Sequence, residues 1–250
     1  MMQVGSRKLQ TEADLALRLR SRWDPGSDVS RHTPAGGRYS KLAATYDEAA
    51  ECWHDQLALL GYPRAYEDLF DRLLADGALN SLRDGGRVLD LGVGTGAFSL
   101  ALAGKVSAPL RIEGVELSPS VLLRASLNLD RAGVETRLHL RDVKDLPFEE
   151  NTFDAVIGAH VLEHLDDPFA GLSEMVRLLK PGGPLVVATH HGVPEAPLRP
   201  KWRHEHVAQD QLMFGMEGAG LIGIRAYPLM AGGSLPHRRC VAWVGFTEGA

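Results

Sequence analysis

Three glycines follow a lone acid in Arg87-Val88-Leu89-Asp90-Leu91-Gly92-Val93-Gly94-Thr95-Gly96-Ala97-Phe98. The apolar run before them reads as a strand, and the apolar pattern after them as a helix. Glycines at such a turn accept positive φ and let a ligand approach where a Cβ would otherwise stand. The helix that follows offers unpaired N–H groups and the positive end of a dipole. Strand, glycine turn and helix together describe a nucleotide-binding site. Asp90 narrows the choice of ligand. A dinucleotide laid over Gly92, Gly94 and Ala97 would bring a pyrophosphate beside this carboxylate, and two anions in a partly dry crevice repel. A ligand with positive charge at that place suits the acid better.

In an open α/β sheet, ligands bind at the carboxyl ends of the strands. The second strand ends on Glu116, about twenty residues past the glycines, where an acid can accept both hydroxyls of a ribose. The third ends on Asp142-Val143, with Asp145 close enough in sequence to compete. The fourth runs into His160-Val161-Leu162-Glu163-His164. Taken literally this is the H-x-x-E-H pattern of inverted zinc peptidases. That pattern needs one helix, whereas His160 ends the apolar run Phe153–Ala159, and no third ligand is signalled downstream. No metal site is therefore expected, and Glu163 and His164 are expected to serve in packing and capping. The fifth strand ends in Thr189-His190-His191-Gly192. Neighbouring residues there point to opposite sides, so one histidine faces the cavity. His191, next to the glycine where the chain leaves the sheet, is the expected general base, with His160 as the second candidate. The stretch Val193–His206 carries three prolines with Arg199, Lys201 and Arg203. It either closes the acceptor side, favouring a carboxylate or phosphate there, or is a charged surface loop.

The elements that must hold these residues alternate. Expected strands are Arg87–Leu91, Arg111–Glu116, Thr136–Arg141, Phe153–Ala159, Leu185–His190, Gly223–Pro228 and Cys240–Phe246, with helices between them. Ser118-Pro119 and Asp167-Pro168 are helix starts, an N-cap followed by proline at the first helical position. Gly133 and Pro181-Gly182-Gly183 are stops. Repeated βα units require a mostly parallel sheet with helices on both faces and right-handed crossovers. The connection Ala231–His237 is too short for a helical crossover, so the last strand should be antiparallel. Ahead of the sheet, Tyr39–Glu51 and Pro63–Ala75 read as helices. The expected division is a peripheral extension over 1–38, a helical cap or lid over 39–82, and a Rossmann-like domain over 83–250.

Composition limits the partners. The chain has 250 residues and 44% hydrophobic content, enough for one large α/β domain with additions. A formal charge of −5 provides no general attraction to nucleic acid or anionic membrane. Two cysteines, Cys52 and Cys240, lie far apart in no metal spacing, which fits a reducing compartment. No apolar run is long enough for a membrane span, and the N-terminus has no apolar signal region. A cytoplasmic protein is expected, with a small-molecule partner and with no nucleic acid or membrane partner. Oligomeric state is not legible.

The run Val88-Leu89-Asp90-Leu91-Gly92-x-Gly94-Thr95-Gly96 resembles the first motif of class I S-adenosylmethionine-dependent methyltransferases. Their donor carries a sulfonium and an ammonium but no phosphate, in keeping with Asp90. Tyr46-Asp47-x-x-Ala50, with Trp53-His54-Asp55 and Gly61-Tyr62, resembles the N-terminal cap of the small-molecule members, the ubiquinone and menaquinone type. Here Tyr46 and Trp53 either close over the ligand or simply pack a helix. The resemblance implies a Rossmann-like class I methyltransferase fold of seven strands. It implies S-adenosylmethionine as cofactor, held by Tyr46, Asp90, Gly92, Gly94, Gly96, Glu116, Leu117, Asp142, Val143 and His160. In this family the acid at Asp142 takes the adenine amino group, and the next backbone N–H takes a ring nitrogen. The implied reaction is in-line methyl transfer to a small molecule. An Asn/Asp-Pro-Pro-Tyr motif after the fourth strand is absent, against methylation of nucleic-acid bases. Two other readings stay open: a nicotinamide-dependent oxidoreductase on the same turn, and a non-catalytic S-adenosylmethionine-binding partner protein.

Overall fold

A computed structural model describes residues 38–143, 146–190, 208–229 and 240–249. Residues 1–37 of the expected 1–38 extension, and the basic stretch around Arg199, Lys201 and Arg203, lie outside the described residues. Two helices lead in, α1 (Arg38–Leu59) and α2 (Tyr62–Ala75). There follow β1 (Gly86–Leu91), α3 (Ala97–Lys105), β2 (Leu110–Glu116), α4 (Pro119–Arg131), β3 (Glu135–Leu140) and β4 (Ala155–Ala159). The remainder is α5 (Pro168–Arg177), β5 (Pro184–His190), α6 (Gln209–Gly218), β6 (Ile222–Pro228) and β7 (Cys240–Phe246).

The seven strands form one sheet in the order β3-β2-β1-β4-β5-β7-β6. Only β7 runs against its neighbours, pairing antiparallel with both β5 and β6. The inner strands read as unbroken apolar runs because both faces of the sheet are covered. Alternate residues divide between the faces. Val88, Ile157, Val186 and Ala188 pack with α2 and α3, while Leu89, Val156, Leu185 and Val187 pack with α5 and α6. At the outer edge β6 is mostly exposed, and it carries Arg225 over the Phe246 ring and ends on Pro228. A charge and a proline on an edge strand oppose pairing with another chain. The buried acid of β2, Glu113, is matched from both neighbouring strands, by Arg87 on β1 and by His139 on β3 at 2.8 Å. A charge without such partners would be costly inside a sheet face.

Both proline-led starts form as read. Ser118 Oγ accepts the Val121 N–H at 3.1 Å, and Asp167 Oδ1 accepts the N–H groups of Phe169 and Ala170. Two boundaries differ from expectation by more than one residue. The fourth strand begins at Ala155, because Phe153 leaves the ladder to make a single bridge with Leu179. The first helix does not stop at Glu51 but runs through Trp53 and His54 to Leu59. Nothing between Glu51 and Leu59 breaks a helix, since that stretch contains neither proline nor glycine.

That extra length lets α1 reach across the site, where polar contacts seat it on the sheet domain. Asp47 Oδ1 accepts from Ser118 Oγ at 2.5 Å and from the Ser120 N–H at 3.1 Å. An acid is thus placed at the positive end of α4. Farther along, His54 Nδ1 lies 3.0 Å from Thr95 Oγ1 in the glycine turn. Removing Asp47 strands the Ser120 N–H and the Ser118 hydroxyl. Asp47→Ala should lower stability by about 1–2 kcal/mol. It should also speed amide exchange along Ala49–Trp53 relative to α3, measured by hydrogen–deuterium exchange with mass spectrometry.

Candidate functional site

The turn after β1 takes the conformation that its glycines permit. Gly92, Gly94 and Gly96 have φ of 69°, 53° and 84°. At Gly94 a Cβ would meet nothing closer than 3.8 Å, because this glycine borders open space. At Gly92 a Cβ would come within 3.0 Å of the Val161 side chain. Gly94 therefore leaves room for a ligand, while Gly92 leaves room for the β4 loop.

Glu116, at the end of β2, is tied to this turn. Its Oε2 accepts the Gly94 N–H at 3.2 Å, and its Oε1 accepts the N–H groups of Leu117 and Ser118 at 2.8 and 3.0 Å. Burial pushes the carboxyl above its usual range, against the pull of those three donors. Three of its about four acceptor positions are taken, and the one left, on Oε2, can receive a ribose hydroxyl.

A cavity of about 950 Å³, open to solvent, lies over the turn. Of the expected cofactor residues, Tyr46, Gly92, Gly94, Glu116, Leu117, Asp142, Val143 and His160 line it. Gly96 is not in the wall: it stands at the start of α3, where a Cβ would press on Leu129 at 3.1 Å. Asp90 is not in the wall either. It is buried beneath the turn, with Oδ2 accepting from Ser99 Oγ at 2.6 Å and Oδ1 without a hydrogen-bond partner among the described residues. Asp145 lies outside the described residues.

The opposite wall comes from α1 and the loop after β4. Tyr46, Trp53 and Leu57 face Ala159, His160, Val161, His164 and Leu165 across the cavity. Tyr46 Oη is 2.9 Å from His164 Nε2, and Tyr46 meets Trp53 edge-on with ring centroids 6.0 Å apart. Burial raises the Tyr46 hydroxyl far above the usual phenol range, so it stays protonated. Tyr46 thus contacts the opposite wall, and the edge-on Trp53 ring packs beside it within α1.

The H-x-x-E-H run does not form one helix. His160 ends β4 in the left-handed region with φ 57°, and only Leu162–His164 make a single 3₁₀ turn. The two histidines accordingly have different partners, and the expectation that Glu163 and His164 only pack and cap is corrected. Glu163 is fully buried, and its Oε1 lies 3.2 Å from His160 Nδ1 and 3.4 Å from His190 Nδ1. The same oxygen accepts the His190 N–H at 2.8 Å. Burial by itself would raise this carboxyl, but the two imidazoles outweigh it and hold Glu163 well below the usual carboxylate range. His190 is pushed down, first by burial and then by the charge of His160. The rings of His160 and His190 stack with centroids 4.1 Å apart, and Tyr62 Oη lies 3.0 Å from His190 Nε2. His190 is thus the described histidine at the end of β5 that turns toward the site. His191, the expected base, lies outside the described residues. Sequence reasoning missed Glu163 because its second histidine comes from another strand, and no local spacing signals that pairing.

Residues 89–187 match the family described as a methyltransferase domain. The chain is 37% identical over 125 residues to a demethylmenaquinone methyltransferase of Lactiplantibacillus plantarum, a match covering 49% of this chain and 52% of the relative. It is 35% identical over 116 residues to a phosphatidylethanolamine N-methyltransferase of Cereibacter sphaeroides, covering 46% of this chain and 55% of the relative. The chain thus spans about half the length of the curated relatives it matches. Among solved structures it resembles the [4+2]-cyclase SpnF, with TM-score 0.58 and 19% identity over 74% of this chain and 81% of that one. It also resembles a Haemonchus contortus phosphoethanolamine N-methyltransferase in complex with S-adenosyl-L-methionine, with TM-score 0.55 and 19% identity over 80% of this chain and 60% of that one. These structures share the Rossmann-like fold expected from the strand and helix pattern. One fold carries a methyltransferase in one neighbour and a cyclase in another, so the reaction has to be argued from the site.

Asp90 makes the stability of the folded chain sensitive to pH. Burial raises its carboxyl from the ordinary 3.8 to about 7, with the Ser99 hydrogen bond opposing the rise. The folded chain then binds more protons than the unfolded chain between about pH 4 and pH 7, so stability falls as pH rises through that window. The full effect is on the order of 4 kcal/mol at most. Asp90→Asn should remove this part of the pH dependence, as measured by urea denaturation of the ligand-free protein at pH 4.5 and pH 7.5.

Proposed function

We propose that this protein binds S-adenosylmethionine over the Gly92–Gly96 turn and transfers its methyl group to a small molecule by in-line displacement. The observation that carries the reading is the Glu116–Gly94 arrangement: a buried acid whose Oε2 can still accept a ribose hydroxyl, hydrogen-bonded to a glycine that leaves open space. Glu116 would hold the ribose hydroxyls, with Leu117 beside it. Asp142 and the Val143 N–H would hold the adenine. When bound, the cofactor supplies a methyl group on a sulfonium. Tyr46, Trp53, Tyr66 and Phe98 put aromatic rings around the cavity, and such rings favour a cationic group over a neutral one. Asp90, beneath the turn, adds charge of the right sign once it ionises, with its carboxyl raised to about 7. A pyrophosphate-bearing cofactor would meet Glu116 and Asp90 unfavourably, which argues against the nicotinamide reading.

The chain's own work is alignment and exclusion of water. Helix α1 would act as the lid over donor and acceptor, and its seat through Asp47, His54 and Tyr46 supports that role. The described wall near His160 and His164 is aromatic and apolar around two imidazoles, which supports a flat acceptor with an ionisable nucleophile. An anionic group on the acceptor would be met by Arg199, Lys201 and Arg203. Where the acceptor must lose a proton, His160 would take it. Its Nδ1 lies against the Glu163 carboxylate, and its buried Nε2 has no hydrogen-bond partner among the described residues. His191 is the second candidate base.

Two measurements test this. Glu116→Gln should weaken binding of S-adenosylmethionine by about 1.5–3 kcal/mol, the range for a charge-assisted hydrogen bond. Unchanged affinity by calorimetry would remove Glu116 from the ribose. His160→Ala should lower turnover by about 10²–10⁴-fold with donor affinity nearly intact. If His191→Ala shows that loss and His160→Ala does not, the base is His191.

A further inference from the structure

The histidine pair at the ends of β4 and β5 has a third neighbour that the methyl-transfer reading does not use. Because β7 runs antiparallel to β5, its first residue pairs with the last residue of β5, and Cys240 stands opposite His190. Ligand atoms of His160, His190 and Cys240 all lie within 4.8 Å of one another. Atoms around a tetrahedral zinc ion stand about 3.4–3.6 Å apart, given bonds of about 2.0–2.3 Å. A shift on the order of 1 Å would bring the three into a coordination shell. Their orientation suits such a shell. Both Nδ1 atoms face Glu163 Oε1, at 3.2 and 3.4 Å. That turns the Nε2 edges away from the acid, an arrangement in which a carboxylate orients metal-ligating imidazoles from behind. His160 Nε2 is buried without a hydrogen-bond partner among the described residues. Tyr62 Oη, 3.0 Å from His190 Nε2 and 3.4 Å from Cys240 Sγ, stands at the fourth side. His160 is held there at φ 57°, a conformation that non-glycine residues adopt seldom and mostly where a site requires it.

We propose that His160, His190 and Cys240 bind one divalent transition-metal ion of the zinc class, oriented by Glu163. Two imidazoles with one thiolate select zinc, cobalt or copper over magnesium and calcium, which want oxygen ligands. On binding, the Cys240 S–H bond breaks, a sulfur–metal bond forms and the proton passes to solvent. The site needs no donor or acceptor, so it stands or falls apart from the methyl-transfer reading.

Cobalt(II) is the probe, titrated into the chelator-stripped full chain. The expected result is one equivalent bound, with a thiolate-to-cobalt charge-transfer band in the near ultraviolet, displaced by one equivalent of zinc. Cys240→Ser should abolish the band. Cys52→Ser should keep it, because that cysteine sits on α1 beside Gln56. His160→Ala and His190→Ala should each weaken binding at least tenfold, and Glu163→Gln by about 10–100-fold, with folding checked by circular dichroism. If the Cys240 variant fails to fold, the Cys52→Ser protein still decides, since the chain has two cysteines. Absence of the band in the wild-type chain overturns the site. So does a band lost with Cys52, or an affinity unchanged in both histidine variants.

Discussion

A carboxylate that accepts backbone N–H groups from two different loops links those loops, and Glu116 does this at the centre of the molecule. Through Gly94 it reaches the turn after β1, and through Leu117 and Ser118 it reaches the loop that starts α4. Ser118 extends the link, because its hydroxyl accepts from Val121 and donates to Asp47 on α1. Floor, side wall and covering helix of the cavity thus share one chain of hydrogen bonds. Such a chain is costly to break in the middle, since each buried donor left unpaired loses its partner without regaining water. It also means that a ligand drawing on Glu116 touches the element that holds α1 in place.

The glycine turn and the covering helix make different demands on the chain. The turn needs positive φ and empty space, which a few glycines supply locally. The helix needs anchors at long range, and it finds them in Asp47, His54 and Tyr46, spaced along α1 and bonded to three separate elements. Each of these anchors is a polar contact, and the Tyr46 ring also packs edge-on against Trp53 and His164. Helices α2 and α3 are held differently, with Phe70, Leu73, Phe98 and Leu102 packed into the core.

At the other end of the cavity a fully buried acid organises the chemistry. Among the described residues, Glu163 has no compensating Arg or Lys beside it. The two imidazoles that balance it are the same groups that can take a proton or a metal ion. Stability and reactivity are coupled there: removing either histidine leaves the acid less well compensated, and engaging either one changes the charge that the acid feels. The His160 nitrogen is shared between the two roles, so an ion at this site and an acceptor proton would compete for it.

Most of the local structure was legible in the chain itself, the far end of α1 excepted. Proline-led caps at Pro119 and Pro168, apolar runs of strand length and the glycine spacing follow from backbone sterics and side-chain periodicity, which act over a few residues. They led to the seven strands, the reversed β7 and the residues at the strand ends that line the cavity. What needed the tertiary structure was every relation between distant segments. Asp90 belongs to the same motif as Gly94, yet it lies beneath the turn, because the side chain at the buried end of a strand turns into the core. Glu163 has one partner three residues away and another on the next strand, and Cys240 joins them only because β7 pairs in register with β5. Sequence spacing carries no information about which residues meet across a sheet; register does, and register is set by how the two covered faces pack.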